Sequence, residues 1–330
     1  MKKNSLKLDP QLSIVIGIFA ISGLLVYFIN KQAGTVWQDF ALVLNNTFMN
    51  ILIFGILLTW LEKKRRRRHI NRGYLEQLED FRFWRSEEGV WRKVGILRRL
   101  RNLEAQLPDL SGIEMENAMM ESWDLTDLRL NHANFTNAFL WQSDVSRTSF
   151  ERGIMERVYL ENVTMDGTNF DKVYMVMADL REACGKKAQF MCTNLEMSIF
   201  NGARLEDCSF EGANLEKATF EGAVLKDCMF YHAHLVDCNF KDADLQGADF
   251  RQTDLSGCSN LSYAQLEQAM IDETTKLPLE LHAEQEDLLK KMKQQNHGPV
   301  RAHFDNNVPH YRSKPNLQDH RRSRTILDHF

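Results

Sequence analysis

The chain has 330 residues, of which 44% are hydrophobic and 26% are charged, and both values are ordinary for globular proteins. Its net charge of −4 conceals an uneven distribution, because residues 62–106 carry +7 whereas residues 107–262 carry −13. Two uncharged apolar runs near the N-terminus argue against a simple soluble protein.

The two apolar runs, residues 12–29 and 40–61, predict a transmembrane helical hairpin. Each run is long enough to cross a bilayer core of about 30 Å. The basic run Lys63–Arg68 follows the second one, so the positive-inside rule places both termini in the cytoplasm of a bacterial inner membrane. The alternative, a cleaved signal peptide at residues 12–29, lacks a small-residue cleavage site. We therefore expect residues 12–29 and 40–61 to bind the lipid bilayer, and Lys63–Arg68 to bind anionic lipid headgroups rather than nucleic acid.

A basic helical collar is predicted at residues 63–106. Apolar residues recur at helical spacing between Leu75 and Trp84. Ser86 is suited to cap a second helix, whose apolar positions are Val90, Trp91, Val94, Leu97 and Leu100. We expect this second helix to cover one end of the domain that follows.

A five-residue period begins at Leu110. Every fifth position from 110 to 255 gives 30 residues, of which 13 are Leu, 10 are Phe, 5 are Met and one is Val, with Gly185 as the exception. Two positions earlier in each unit, every residue from Ala133 to Thr253 is Ala, Ser, Thr, Cys, Gly or Val. Neither a helix nor a flat strand keeps such a set on one face. The period predicts a solenoid in which each unit points one large and one small residue inward.

This pattern resembles the pentapeptide-repeat family, whose motif is A(D/N)Lxx. Ala213-Asn214-Leu215, Ala243-Asp244-Leu245 and Ala248-Asp249-Phe250 match that motif literally. The resemblance covers residues 110 to about 260 and implies an all-β solenoid, a right-handed quadrilateral β-helix with four units, and hence twenty residues, per coil. On such a coil Phe150, Phe170, Phe190, Phe210, Phe230 and Phe250 form one column.

The cysteines fit the same register. Cys208, Cys228, Cys238 and Cys258 occupy the small inward position, where a thiol acts as a compact hydrophobe. Cys184 and Cys192 lie at other positions, and neither their spacing nor a cytoplasmic location favours zinc or disulfides.

The register slips by one residue near Asn260, so we expect the solenoid to end there. An open coil end needs a cap, and residues 279–295 can form a capping helix. The polar, His- and Arg-rich tail has no apolar period and predicts disorder. The predicted organisation is a transmembrane hairpin at 1–62, a collar at 63–106, a β-helix at 107–262, a capping region at 263–295 and a tail at 296–330.

The sequence predicts no catalytic, cofactor or metal site, and hence no enzyme. Asp242 to Gly247 looks like the start of a calcium loop, but Thr253 occupies the position that needs Glu. His232 and His234 lack a third ligand nearby in the repeat. Carboxylates such as Glu206, Glu211 and Glu216 are expected on a regular surface without a cleft.

One outward surface is less ordinary. Stacking at twenty residues puts Met119, Phe139 and Tyr159 in one outward column, Ile154 and Tyr174 in a neighbouring column, and Trp141 close by. The rings either pack on each other or lie under the collar or tail, or they form a docking site for a protein partner or a second copy.

Two functions are compared. The first is a membrane-tethered, non-enzymatic scaffold that presents the acidic β-helix to an unknown cytoplasmic or membrane protein. The second follows from the resemblance: some soluble family members, those of the quinolone-resistance type, look like duplex DNA to a topoisomerase. The excess of acidic residues permits such mimicry, whereas the interspersed basic residues and the expected membrane anchor disfavour it. Neither function predicts direct binding of nucleic acid. The arrangement of the carboxylates and the exposure of the aromatic residues distinguish the two.

Overall fold

The computed structural model describes residue 31 and residues 35–294. The first predicted span, residues 12–29, and the tail at 296–330 therefore lie outside the described residues. The chain divides into two compact units, residues 1–72 and 73–330, and each is described by itself. The helices are α1 at Thr35–Phe81, α2 at Glu87–Asn102, α3 at Tyr263–Glu267, a 3-10 helix at Leu279–Glu284 and α4 at Gln285–Gln294; two short strands, β1 at Cys184–Lys186 and β2 at Arg204–Glu206, lie between α2 and α3.

The helix α1 contains the second predicted span and continues through the basic run Lys63–Arg68. Within the part of the chain that the structure describes, no helix is both long enough and apolar enough to cross a membrane. This finding does not support the predicted hairpin. Among the side chains of α1 that are described, the large apolar ones that are exposed are Ile53, Phe54, Leu57, Leu58, Trp60, Leu61 and Ile70.

The second unit is dominated by a four-sided parallel β-helix. Parallel bridges join residues twenty apart, from Glu114 with Asn134 to Asn239 with Ser259, and β1 pairs with β2 in the same register, Gly185 opposite Leu205. Four five-residue units therefore complete one coil, as the resemblance implies. The right-handed sense stays a prediction.

The predicted inward positions form the core. All thirty residues at multiples of five from 110 to 255 are buried. The rings of Phe210 and Phe230 stack with centroids 5.0 Å apart, and Phe210 meets Phe220, on the opposite side of the coil, edge to face at 6.2 Å. The exception Gly185 is explained by its neighbour, because a Cβ there would approach the side chain of Met165 to 2.7 Å. A small residue in one coil therefore leaves room for a large side chain in the adjacent coil.

The backbone N–H groups of the repeat units find acceptors in neighbouring coils, across the turn and in side chains. In the unit 170–174, four N–H groups donate to backbone carbonyls at 2.7–3.1 Å, three of them in neighbouring coils and one across the turn. The fifth, the N–H of Asp171, donates to Asn169 Oδ1 at 2.8 Å. The same contact recurs before other inward residues, for example from Ser146 N–H to Asp144 Oδ1 at 2.9 Å. The Asp or Asn of the motif therefore completes the backbone hydrogen bonding of the turn.

The collar closes the N-terminal end of the β-helix. Ser86 caps α2 by accepting a hydrogen bond from Gly89 N–H, and α2 buries Val90, Val94, Leu97 and Leu100 against the first coil. Trp91, which the sequence analysis names among the apolar positions of this helix, is instead 56% exposed. A residue next to Val90 in sequence is rotated about 100° around the helix, away from the buried face.

Basic side chains of the collar occupy the open edge of the first coil. The Arg82 guanidinium donates to the carbonyl of Asp109 at 2.9 Å and to that of Ser111 at 2.6 Å. The buried Lys93 ammonium donates to the carbonyl of Glu114. Burial, partly opposed by the Glu114 carboxylate, lowers the pKa of Lys93 to about 8. These side chains donate the hydrogen bonds that the backbone of a preceding coil donates elsewhere. The edge is therefore not free to pair with another chain.

The bridge pattern continues past residue 262, where the sequence predicted its end. Asp249 pairs with Met270 and Asp254 with Lys276, at separations of 21 and 22 residues. The slip therefore reflects added residues, including α3, within a further coil. Gln265, in α3, donates from Nε2 to the carbonyls of Phe240 and Ala243, both at 2.9 Å.

The C-terminal end is closed by the helices after the last bridge. Leu281 of the 3-10 helix and Leu288 and Met292 of α4 are buried in the same core as the coils. Lys291 of α4 forms an ion pair with Glu267 of α3 at 2.7 Å. Both ends of the β-helix are thus covered by helical segments.

The Phe columns generate a direct test. Phe210→Ala removes a ring that contacts stacked rings on both sides, and we expect it to lower the free energy of unfolding by about 3–5 kcal/mol. Val236→Ala is the matched control, because Val236 is apolar but 50% exposed, and it should cost less than about 0.5 kcal/mol. Chemical unfolding of the purified chain measures both. Equal effects would contradict the five-residue register.

Candidate functional site

The predicted aromatic residues lie on the surface and touch one another. Phe139 and Tyr159 are stacked, with ring centroids 4.6 Å apart and planes at 2°, and Phe139 also contacts the Trp141 ring at 6.0 Å. Met119 pairs with Phe139 through a backbone bridge. Exposure is 45% for Met119, 38% for Trp141 and 40% for Tyr159. Among the described residues, neither the collar nor the capping helices bury this surface, which we call the aromatic strip.

Ile154 and Tyr174 lie in the column of the preceding side of the coil. They pair with each other through a backbone bridge, and both are only half-buried. Burial, followed by the Glu156 and Glu196 carboxylates, raises the pKa of the Tyr174 hydroxyl. The structure therefore brings Met119, Phe139, Trp141 and Tyr159 together and places Ile154 and Tyr174 on the adjacent side.

The sequence analysis missed a second group of exposed apolar residues. Met177, Met197 and Ile199 are 42%, 37% and 37% exposed. Met177 and Met197 both have φ of 57°, a left-handed conformation that non-glycine residues adopt at a cost. Most other turns place a charged residue, a polar residue or Gly at this position. An apolar side chain at this turn position is the sequence signal that could have revealed the group. Met177 and Met197 extend the apolar surface to the next two coils.

An ion pair lies between the two apolar groups. Arg181 binds Asp179 at 2.6 Å and also approaches Glu161 at 3.5 Å. Asp179 occupies the column of Phe139 and Tyr159 and pairs with Ile199 through a backbone bridge. The surface therefore combines an apolar strip with a charged pair at its middle, as interfaces with an apolar centre and polar contacts do.

Carboxylates are found on every side of the coil, and many are paired. Ion pairs that join neighbouring coils include Arg147 with Asp127 at 2.7 Å, Lys186 with Glu206 at 2.6 Å and Lys241 with Glu221 at 2.5 Å. Because cations are interleaved with the acids, the charge of the rod is partly neutralised locally. A continuous row of unpaired anions, as along a DNA strand, is not formed by these residues.

One carboxylate differs from its expected position. Glu211 was predicted on the surface, but it is only 3% exposed. Burial, followed by repulsion from Asp249 and Asp171, raises the pKa of Glu211 to about 7. Glu211 occupies an outward position, so the five-residue register alone could not predict its burial.

The cysteines match their predicted positions where the register applies. Cys208, Cys228, Cys238 and Cys258 are buried, and each thiol contacts a backbone carbonyl, as Cys238 does with Leu215 at 2.9 Å. Cys184 is exposed, whereas Cys192 is buried at an outward position. Within residues 35–294, no group of three or more His, Cys, Asp or Glu side chains is arranged to hold a metal ion.

Comparison with known proteins supports the repeat assignment. Residues 198–275 match the family model of the pentapeptide repeat region. This segment is a pentapeptide-repeat region. Its five-residue units are those whose inward Leu and Phe residues are buried above. No curated protein matches the sequence.

Several solved structures are similar to the pentapeptide repeats of this chain. QnrB1, a plasmid-mediated fluoroquinolone resistance protein, is 18% identical, with 55% of this chain and 97% of that chain covered and a TM-score of 0.27. HetL, a pentapeptide repeat protein involved in heterocyst differentiation regulation from the cyanobacterium Nostoc, is 17% identical, with 55% and 93% covered and a TM-score of 0.21. A pentapeptide repeat protein from the thylakoid lumen of Arabidopsis thaliana is 21% identical, with 37% and 71% covered and a TM-score of 0.20. At these values it is the bridge pattern of this chain that establishes its β-helix.

The raised pKa of Glu211 predicts that the stability of the protein falls as pH rises. Its pKa of about 7 lies above the value for an unfolded chain, so the folded state binds more protons between the two values and stability falls as pH rises through this window. Glu211→Gln should leave stability nearly unchanged at pH 5 and raise it at pH 8 by roughly 1–3 kcal/mol. The matched control is Glu216→Gln, because Glu216 is half-exposed. Thermal unfolding at both pH values measures the difference, and a variant less stable than the wild type at pH 8 would contradict the assignment.

Proposed function

We propose that this chain is a non-enzymatic scaffold whose β-helix binds a protein partner through the aromatic strip. The observation that carries the proposal is the stacked pair of the half-buried Phe139 and the exposed Tyr159, with the exposed Met119 and Trp141 beside it. Aromatic residues and Met are enriched at the centres of protein interfaces, where they bury a large area at a low cost in side-chain entropy. On a repeat whose other outward positions are mainly polar, such a group is a candidate interface.

The rigidity of the support favours the same function. Phe139 and Tyr159 flank buried inward residues, Ala138, Leu140 and Leu160, and their backbone N–H groups donate to neighbouring coils at 2.9 Å. Their positions are therefore fixed before a partner binds, which lowers the entropy lost on association. Met177 and Met197 add flexible apolar side chains next to the rigid rings, and such side chains adapt to the shape of a partner.

The alternative is a DNA-mimicking β-helix that binds a DNA-binding protein such as a topoisomerase. The net charge of −13 over residues 107–262 supports it. Interleaved ion pairs such as Arg147 with Asp127 weigh against it, because mimicry of a duplex requires a continuous anionic field. The scaffold is therefore the preferred proposal.

The proposal includes a membrane tether, which rests on the sequence. Residues 12–29 and 40–61 are uncharged, and Lys63–Arg68 follows directly, so we propose that these segments bind the bilayer of a bacterial inner membrane and its anionic headgroups. The β-helix and both termini would then lie in the cytoplasm. The tether and the docking surface are independent parts of the proposal.

Substitutions can distinguish whether the partner binds through the aromatic strip or through the acidic side chains. Phe139→Ser, Trp141→Ser and Tyr159→Ser together should leave the β-helix folded, because these side chains point away from the core, and should abolish a crosslink formed by a photoreactive residue at Met119. The charge variant Glu206→Lys with Glu216→Lys should keep that crosslink. Crosslinking in living cells, followed by mass spectrometry, measures both.

The opposite order of effects would favour mimicry of DNA, because binding would then depend on the acidic side chains. A photoreactive residue at Val236 serves as the control for non-specific capture, since Val236 is exposed but outside the strip. If neither set of substitutions changes the crosslink, the strip is not the docking surface.

The tether has its own test. We expect the full chain to sediment with membranes after an alkaline carbonate wash, and a variant without residues 1–61 to stay in the supernatant. A reporter that is active only outside the cytoplasm should be silent when it is fused after Phe330 and active when it is inserted at Gly34. A full chain found in the supernatant would refute the tether and leave the docking proposal standing.

A further inference from the structure

The aromatic strip occupies the middle of one flat side of the β-helix. The central column of this side contains Phe139 and Tyr159 and continues to the exposed Ile199. The residues two positions before and two positions after each central residue lie in the turns that form the corners of the coil. We call this side, with its central column and its two corners, the strip side. One of its coils presents, in order, Arg157, Tyr159 and Glu161.

The charges at the two corners of the strip side are complementary. In none of its seven coils, within residues 117–241, do the two corners carry like charges, and in three coils they carry opposite charges. These pairs are Arg157 with Glu161, Lys217 with Glu221, and Asp237 with Lys241. Each of the other three sides of the β-helix has a single such pair, and one of them also opposes Asp207 to Glu211. Complementary charges therefore accumulate on the side that carries the aromatic residues.

The opposite charges of one coil form their ion pairs with nearer neighbours. The two corners are four residues apart along an extended side, which places their Cα atoms about 13 Å apart at the rise of a β-strand. Lys217 instead binds Glu216 at 2.7 Å, and Lys241 binds Glu221 at 2.5 Å. The complementarity across the strip side is thus not used within the chain, and it is available to a second molecule.

We propose that the partner of the strip side is a second copy of this chain, packed side by side in a parallel dimer. A two-fold axis that runs along the rod, between the two strip sides, keeps each coil level with the same coil of the other copy and exchanges the two corners. Lys217 then lies opposite Glu221 of the second copy, and Glu221 lies opposite its Lys217. The coil of Arg157 and Glu161 and the coil of Asp237 and Lys241 are matched in the same way.

The centre of the strip side is apolar enough to be buried in such a dimer. On the two-fold axis Phe139, Tyr159 and Ile199 each meet the same residue of the second copy. Asp179 also meets its equivalent, and its charge is neutralised by Arg181 at 2.6 Å. The exposed Met177 lies opposite Arg181 of the second copy and can cover the apolar stem of that side chain. An apolar centre with charged edges is the usual composition of a subunit interface.

An antiparallel dimer does not use the same complementarity. A two-fold axis across the rod brings each corner against the same corner of the second copy. Centred on the coil of Tyr159 it opposes Arg157 to itself, and centred on the coil of Asp179 it opposes Arg181 to itself. Like charges in direct opposition disfavour an arrangement, so the parallel dimer is preferred. The inference rests on the docking function proposed above and names the partner of that same surface.

Crosslinking of a single thiol on the two-fold axis tests the dimer. Ile199→Cys in a Cys184→Ser background places the thiol in the central column, and packed sheets lie about 10 Å apart, so a bismaleimide crosslinker that spans about 8 Å should join two copies. We expect a covalent dimer of the purified full chain on a denaturing gel. The wild type is the control, because its exposed Cys184 lies on the neighbouring side and its other cysteines are buried. It should stay monomeric.

Charge exchange tests the parallel register. Lys217→Glu should raise the dissociation constant of the dimer at least about tenfold, because the two-fold axis creates the unfavourable contact twice. Adding Glu221→Lys should restore dimerisation, since the exchanged charges again face each other across the interface. Lys186→Glu is the control, because Lys186 is exposed at a corner that the strip side does not include. Sedimentation equilibrium of the purified full chain measures all three variants.

A chain that stays monomeric in both experiments would overturn the proposal. Dimers that are insensitive to Lys217→Glu, or that the added Glu221→Lys does not restore, would overturn it as well. The photoreactive residue at Met119 separates this inference from the docking function. Adducts with another protein alone would exclude the second copy as the partner and leave the docking function standing, whereas the absence of any adduct would refute both.

Discussion

The structure depends on one constraint, which is that each residue of the β-helix must fit the residue twenty positions earlier. Parallel bridges fix this separation from Glu114 to Ser259, so identical side chains are brought into contact along the rod. Phe170, Phe190 and Phe210 stack with ring centroids 4.9–5.1 Å apart. Where one inward residue is too long, its neighbour is shortened, as Gly185 is beside Met165. Burial of these columns supplies most of the favourable free energy of the fold.

The same constraint creates the need for caps. A coil pairs with the coil before it and the coil after it, so the first and last coils each present an unpaired edge. At the N-terminal edge Arg82 and Lys93 donate to carbonyls that lack a preceding coil. Where α3 interrupts the last coil, Gln265 donates from its amide to the carbonyls of Phe240 and Ala243. Long polar side chains thus replace backbone donors, and the core remains closed without a further strand.

Because the inward positions are fully used by packing, function is left to the outward ones. These positions tolerate any side chain that the turn accepts, and they carry interleaved ion pairs, an exposed group of aromatic and Met residues, and a few buried polar residues such as Glu211. The first partly neutralises the charge of the rod locally and weakens its resemblance to the charge of DNA. The second carries the proposed docking function, since contiguous apolar exposure is uncommon on a protein surface.

The sequence by itself determined the core, because a period of five with a large and a small residue leaves no other regular structure. The inward positions of the Phe residues and of the four core cysteines, and the outward positions of Phe139 and Tyr159, followed from the period of five. The twenty-residue coil came from the family resemblance. The tertiary structure decided what counting could not reach. Trp91 is exposed because the rotation of α2 is set by contacts with the first coil, and the bridges run past residue 262 because an insertion shifts the register without ending it. Glu211 is buried although it occupies an outward position, because the five-residue period fixes which side chains point inward and not how far the others are exposed to solvent.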